Sequence, residues 1–142
     1  MMIVIRPLLL AVVMLGHIVP AGAQSGAHPV LDSWYTALFA ADKAKLDALL
    51  TPDAEIVLED IGITQTKAEF LGSLEEWADA IDGADLSWRL DAGAPASAES
   101  ATALVCYRFA DNEVMTRERF TFAAGQVRTS VQVPAGDTCE GF

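Results

Sequence analysis

The chain has 142 residues and a formal net charge of −11, with its acidic side chains scattered from Asp32 to Glu140. So acidic a surface repels phosphate, which makes nucleic acid and anionic lipid poor partners. The length suits one domain around one modest core, and two cysteines with His28, the one histidine after residue 23, leave too few ligands for a tetrahedral zinc site.

Met1 to Arg6 carries a single positive charge, Leu8 to Val19 is almost wholly apolar, and Pro20-Ala21-Gly22-Ala23 follows. These are the three parts of a cleavable secretory signal. A spanning helix needs about 20 apolar residues, whereas this run is interrupted by His17 and Pro20. Residues 1–23 are therefore expected to be removed, leaving residues 24–142 as one domain, exported to the periplasm or secreted. Loss of Arg6 with the leader makes the remainder one unit more negative. Cys106 and Cys139 are an even pair in an exported chain, which points to a disulfide. The alternative is a buried free Cys106 and an unpaired thiol in the tail.

His28-Pro29 can open a helix, since proline is tolerated at the first helical position. Val30, Leu31, Trp34, Tyr35, Leu38 and Phe39 then share one face at helical spacing. Asp42 is placed to cap a second short helix with Leu46, Leu49 and Leu50 on its apolar side, ended by Thr51-Pro52. Ala54 to Glu59 reads as a strand, and the Gly62 region as a turn. Thr66-Lys67-Ala68-Glu69 is a capping box, and Phe70, Leu71, Leu74, Trp77, Ala78 and Ile81 continue one helix to Asp82-Gly83. Beyond Gly83 the period becomes two: Leu86, Trp88 and Leu90 alternate with polar neighbours. Ala92 to Ser100 is a loop. Strands follow over Thr102–Ala110, Glu113–Ala123 and Gln126–Val133, joined by turn residues, and Pro134–Phe142 has no period. Helices first and a meander afterwards indicate an α+β domain.

Trp34-Tyr35-Thr36-Ala37-Leu38-Phe39-Ala40-Ala41-Asp42, then Leu46-Asp47-Ala48-Leu49-Leu50-Thr51-Pro52-Asp53-Ala54, in this order of elements, resembles the nuclear transport factor 2-like superfamily. That group includes SnoaL-like domains and ketosteroid isomerase. Ile63 to Phe70 looks like the family's turn into its third helix, and the resemblance spans Val30 to Val133. It implies a cone-shaped, curved antiparallel or mixed sheet with three N-terminal helices on its concave face and a mostly apolar pocket at the open end. Carried over residue by residue, the isomerase's oxyanion-hole tyrosine falls at Trp34, beside Tyr35. Its general base falls at Leu58, just before Glu59 and Asp60, and its second oxyanion-hole acid falls at Glu118. One acid of that set is kept and the base is aliphatic, which argues against steroid isomerisation. Members that use a pocket histidine are poor models too, since the domain body has none.

Glu118 stands out from the residues alone. In its strand Val114, Thr116, Glu118, Phe120 and Phe122 share one face, while Met115, Arg117, Arg119 and Thr121 share the other. A carboxylate on an apolar face either finds a partner or takes up a proton. It is thus a candidate catalytic or ligand-binding acid, or else the partner of Arg89, Arg108 or Arg128 on a neighbouring strand. Candidate ligand-binding residues are Trp34, Tyr35, Leu58, Trp77, Trp88, Tyr107 and Phe120, with core packing as the competing role for the aromatic ones. Glu55, Glu59 and Asp60 lack the spacing of a calcium loop. No metal or cofactor is expected, and no phosphate loop or nucleophile motif occurs.

Three functions follow from these residues. One is an exported domain that binds a small hydrophobic molecule in its pocket. Another is an isomerase, dehydratase or hydrolase using Glu118 with Asp60 or a tyrosine. The third is an interaction module that forms a homodimer through its sheet.

Overall fold

The structure is a computed structural model that describes residues 28–142; the expected leader and its cleavage point lie outside these residues. Helix α1 (Pro29–Phe39) starts with proline in its first turn and buries Leu31, Trp34, Tyr35, Ala37 and Leu38, the face its periodicity marked. The chain then turns through Ala41, at a positive φ of 48°. Asp42 caps α2 (Lys43–Leu49) by accepting a hydrogen bond from the Lys45 amide at 3.1 Å.

Strand β1 (Leu50–Leu58) begins four residues earlier than its apolar core suggests. Its pairing with the last strand is irregular between Leu50 and Glu55, which accommodates Pro52, a residue with no ladder donor. A short strand β2 (Ile63–Thr66) pairs with it, Leu58 facing Ile63 and Glu55 facing Thr66. The sequence shows only a turn there, because β2 is mostly exposed and carries no alternation.

The capping box forms as written: the Thr66 hydroxyl accepts from the Glu69 amide and Glu69 accepts from the Thr66 amide. The single helix expected from here to Ile81 is two, α3 (Lys67–Gly72) and α4 (Leu74–Ala80). The break falls at Gly72-Ser73, where the Ser73 hydroxyl donates to the Phe70 carbonyl at 2.7 Å. Such back-bonding bends a helix, so four helices, not three, precede the meander. Gly83 takes the left-handed φ of 72° that ends this region.

Strands β3 (Asp85–Leu90), β4 (Ser100–Arg108), β5 (Glu113–Ala123) and β6 (Gln126–Gly136) complete a six-stranded sheet of order β2-β1-β6-β5-β4-β3. All neighbours are antiparallel except β1 and β6, which are parallel. The sheet is therefore mixed. Register shifts interrupt β5–β6 between Met115 and Thr116 and between Thr121 and Phe122; such bulges bend a strand and raise its twist. The inner face presents Ala101, Ala103, Val105 and Tyr107 from β4 with Glu118, Phe120 and Phe122 from β5, all buried. Trp34 and Tyr35 meet Phe120 edge-on at 5.9 and 6.1 Å between ring centres, which seats α1 on that face.

On the outer face, Cys106 and Cys139 form a disulfide across 33 residues. The region beyond Pro134, which shows no period, extends β6 to Gly136 before turning back. The Cys139 amide there donates to Glu113 at 2.9 Å, and the Arg89 guanidinium lies 5.1 Å from the Phe142 ring centre.

Candidate functional site

Alternation along β5 aims Glu118 inward, and the protein meets it with hydroxyls, not with a cation. Tyr35 on α1 donates to Oε2 at 2.7 Å. Tyr107 on β4 and Thr116, two residues back on β5, donate to Oε1 at 2.8 and 3.0 Å. Glu118 has no exposed surface. The three arginines of the ion-pair reading are elsewhere: Arg108 pairs with Glu113, Arg128 with Asp53, and Arg89 covers Phe142. Burial pushes the Glu118 carboxyl above its ordinary 4.5, and the three hydroxyls draw it partly back. Burial, with the nearby Glu118 charge, drives both phenols well above their ordinary 10, so they remain protonated donors.

A cavity of about 430 Å3 opens beside this cluster, within the size range of small-molecule sites. Its inner end is apolar and buried: Leu38, Ile56, Phe70 and Tyr107. Leu58, Trp77, Phe109, Val114 and Thr116 form half-buried walls, and Asp60, Ile61 and Glu76 stand exposed at the mouth. Trp77 meets Tyr107 at 87° with ring centres 5.9 Å apart, while Phe109 lies parallel to Tyr107 at 6.1 Å. Asp60 and Glu76 are the charged residues of this lining; no lysine, arginine or histidine belongs to it.

Of the residues singled out in the sequence, Leu58, Trp77, Tyr107 and, at the mouth, Asp60 line the cavity. Glu118 does not: it stands behind the wall made by Tyr107 and Thr116. Trp34 and Phe120 are core residues, each 1 % exposed, with Trp34 stacked on Phe70. Trp88 packs against the Tyr35 ring at 5.1 Å, away from the lining. The tyrosine position that the resemblance assigns to Trp34 holds no hydroxyl, and the adjacent Tyr35 supplies it. Leu58 leaves the base position apolar. Sequence reasoning missed Thr116 as a partner of Glu118, although its place two residues away on one strand face was the signal. It also passed over Gln65, Ser73 and Gln132 at the wall, for which no signal was present.

No protein-family model matches the sequence, and no curated protein matches it. Solved structures do. An NTF-2 like protein of unknown function from Burkholderia xenovorans matches with a TM-score of 0.64 at 14 % identity, covering 80 % of this chain and 84 % of its own. This is the nuclear transport factor 2-like fold. A candidate ketosteroid isomerase from Kribbella flavida gives 0.62 at 19 % identity, over 80 % and 82 % of the two chains. IdmH, a candidate polyketide cyclase from Streptomyces antibioticus, gives 0.61 at 13 %, over 74 % and 88 %. Identities this low carry the architecture alone. In nuclear transport factor 2-like terms, the cavity lies between the helices and the inner face of the curved sheet.

Proposed function

We propose that this protein is an exported binding domain that takes a small, largely apolar molecule into the 430 Å3 cavity. The cavity itself carries the reading: aromatic and aliphatic walls enclose it, and few polar groups converge on it, as in small-molecule sites generally. Tyr107 and Thr116 stand among the polar groups of the wall with Gln65, Ser73 and Gln132, and Glu118 holds the Tyr107 and Thr116 hydroxyls in place. The N-terminal signal pattern and the Cys106–Cys139 bond support export. Solved neighbours described as isomerase and cyclase candidates support a small-molecule occupant.

A second reading is favoured by the elevated Glu118 carboxyl and its bond to Tyr107 at the cavity wall: an isomerase, dehydratase or hydrolase that uses Glu118 as its acid, with the Tyr107 hydroxyl taking up Glu118's proton as it passes its own to substrate. Thermal-shift titration against a panel of ring compounds, run beside Glu118→Gln, separates the two. Ligand at 100 times its dissociation constant adds about 2.7 kcal/mol of stability, a shift of several degrees. Binding kept in the variant with no turnover in either protein supports the binding domain. Turnover that disappears in the variant while binding persists supports the enzyme. A panel with no shift refutes both.

A further inference from the structure

Four of the six residues that carry side-chain hydrogen-bond donors in the cavity wall give them to partners within the protein. Tyr107 and Thr116 direct their hydroxyl protons to Glu118. Ser73 donates to the Phe70 carbonyl at 2.7 Å, and the Trp77 indole N–H donates to the Leu38 carbonyl at 2.7 Å. A hydroxyl has one proton and two lone pairs, so these three hydroxyls have only acceptor capacity left to offer a ligand. The Gln65 and Gln132 amides are the remaining side-chain donors of the lining. What the wall offers otherwise is carboxylate at Asp60 and Glu76, and ring faces at Trp77, Tyr107 and Phe109. Neither acid takes part in an ion pair among the described residues.

Such a wall repels an anion and leaves a carbonyl-bearing ligand with two amide donors. A cation suits it. Trp77 stands at 87° to Tyr107 and Phe109 lies parallel to Tyr107, so the space is lined by rings in two perpendicular orientations. Aromatic rings set at differing angles are what cages for quaternary ammonium groups are built from. The cavity, roughly 9 Å across if round, also keeps any point inside within about a Debye length of the acids at its mouth.

We infer that the occupant is an organic cation: an ammonium carried on a compact apolar or aromatic body. This rests on the binding-pocket reading above and specifies its ligand class. Benzyltrimethylammonium is the probe, compared with its neutral carbon isostere neopentylbenzene and with the anion 3-phenylpropionate. Titration of the purified protein is followed by the fluorescence of Trp77 and its neighbours and by calorimetry. The cation is expected to bind about tenfold or more tighter than the neutral isostere, with no detectable anion binding. Asp60→Asn combined with Glu76→Gln, both at exposed positions, should weaken the cation several-fold and leave the isostere unchanged. Phe109→Leu should reduce the cation's advantage. Equal or tighter binding of neopentylbenzene overturns the cation assignment and leaves the pocket reading standing. Preferred binding of the anion does the same. Absence of binding by all three overturns both.

Discussion

The two oxygens of Glu118 are not equally supported, and this asymmetry sets the effect of removing each tyrosine hydroxyl. Oε1 accepts from Tyr107 and Thr116, whereas Oε2 accepts from Tyr35 alone. Tyr35→Phe keeps the ring and its packing on Trp88 and Phe120 but leaves Oε2 without a partner in a side chain that has no exposed surface. An orphaned buried acceptor costs about 1–3 kcal/mol, more when it is charged. Tyr107→Phe leaves Oε1 its bond from Thr116, beside a cavity that water can enter, and should cost about 0.5–1.5 kcal/mol. Tyr35→Phe is therefore the more destabilising by about 0.5–1.5 kcal/mol at pH 7.5. The gap should narrow toward pH 4, where a protonated Glu118 carries no charge to strand. Urea unfolding followed by tryptophan fluorescence at both pH values measures it. Equal losses for the two variants, or a gap that widens in acid, would refute this account of the cluster.

Glu118→Gln tests the elevated carboxyl directly. Because the folded value is raised, the stability that its proton contributes is complete below the ordinary 4.5 and is lost as pH climbs through the folded value. The Gln variant lacks that titration, so its stability relative to wild type should rise across this window and then level off; a flat difference from pH 4 to 9 contradicts it. Replacing Cys106 and Cys139 by alanine opens a closure of 33 residues and should lower stability by roughly 3–4 kcal/mol, read by urea unfolding with and without reductant. Wild type treated with reductant should converge on the variant. Thr66→Ala removes one half of the capping box at the start of α3 and should cost about 1 kcal/mol, with Thr66→Ser restoring most of it. Loss of the Thr66 effect in a Glu69→Ala background would show that the two bonds act together.

Much of this was legible in the residues because it is local. The apolar face of α1, the Asp42 and Thr66 caps and the inward aim of Glu118 each follow from spacing within one element. Parity also placed the arginines: Arg108 follows inward Tyr107, and Arg89 lies between Trp88 and Leu90, so both point to the outer face. The ion-pair alternative for Glu118 weighed strand proximity without that parity. The break at Ser73 escaped notice because the apolar period runs on through it, while one hydroxyl bond to Phe70 decides the geometry. Tyr35 as the partner of Oε2 could not be read from spacing: 83 residues separate the two, only the docking of α1 on the sheet joins them, and the family resemblance alone brought Glu118 to one site with the position next to Tyr35. The same holds for the cavity, whose wall is assembled from α1, α3, α4 and five strands.

Strand β6 joins the sheet's two parts, lying between β1 and β5. Until residues 126–136 exist, the chain holds only a β2-β1 pair and a β5-β4-β3 meander, each with an unsatisfied edge. A growing polypeptide cannot close this architecture before β6 is made, since the parallel partner of Ile56 is Ser130, far along the chain. Pairings so distant in sequence form slowly, and open edges invite self-association. A chain that stops before residue 126 lacks the strand that joins the two parts and leaves both with open edges.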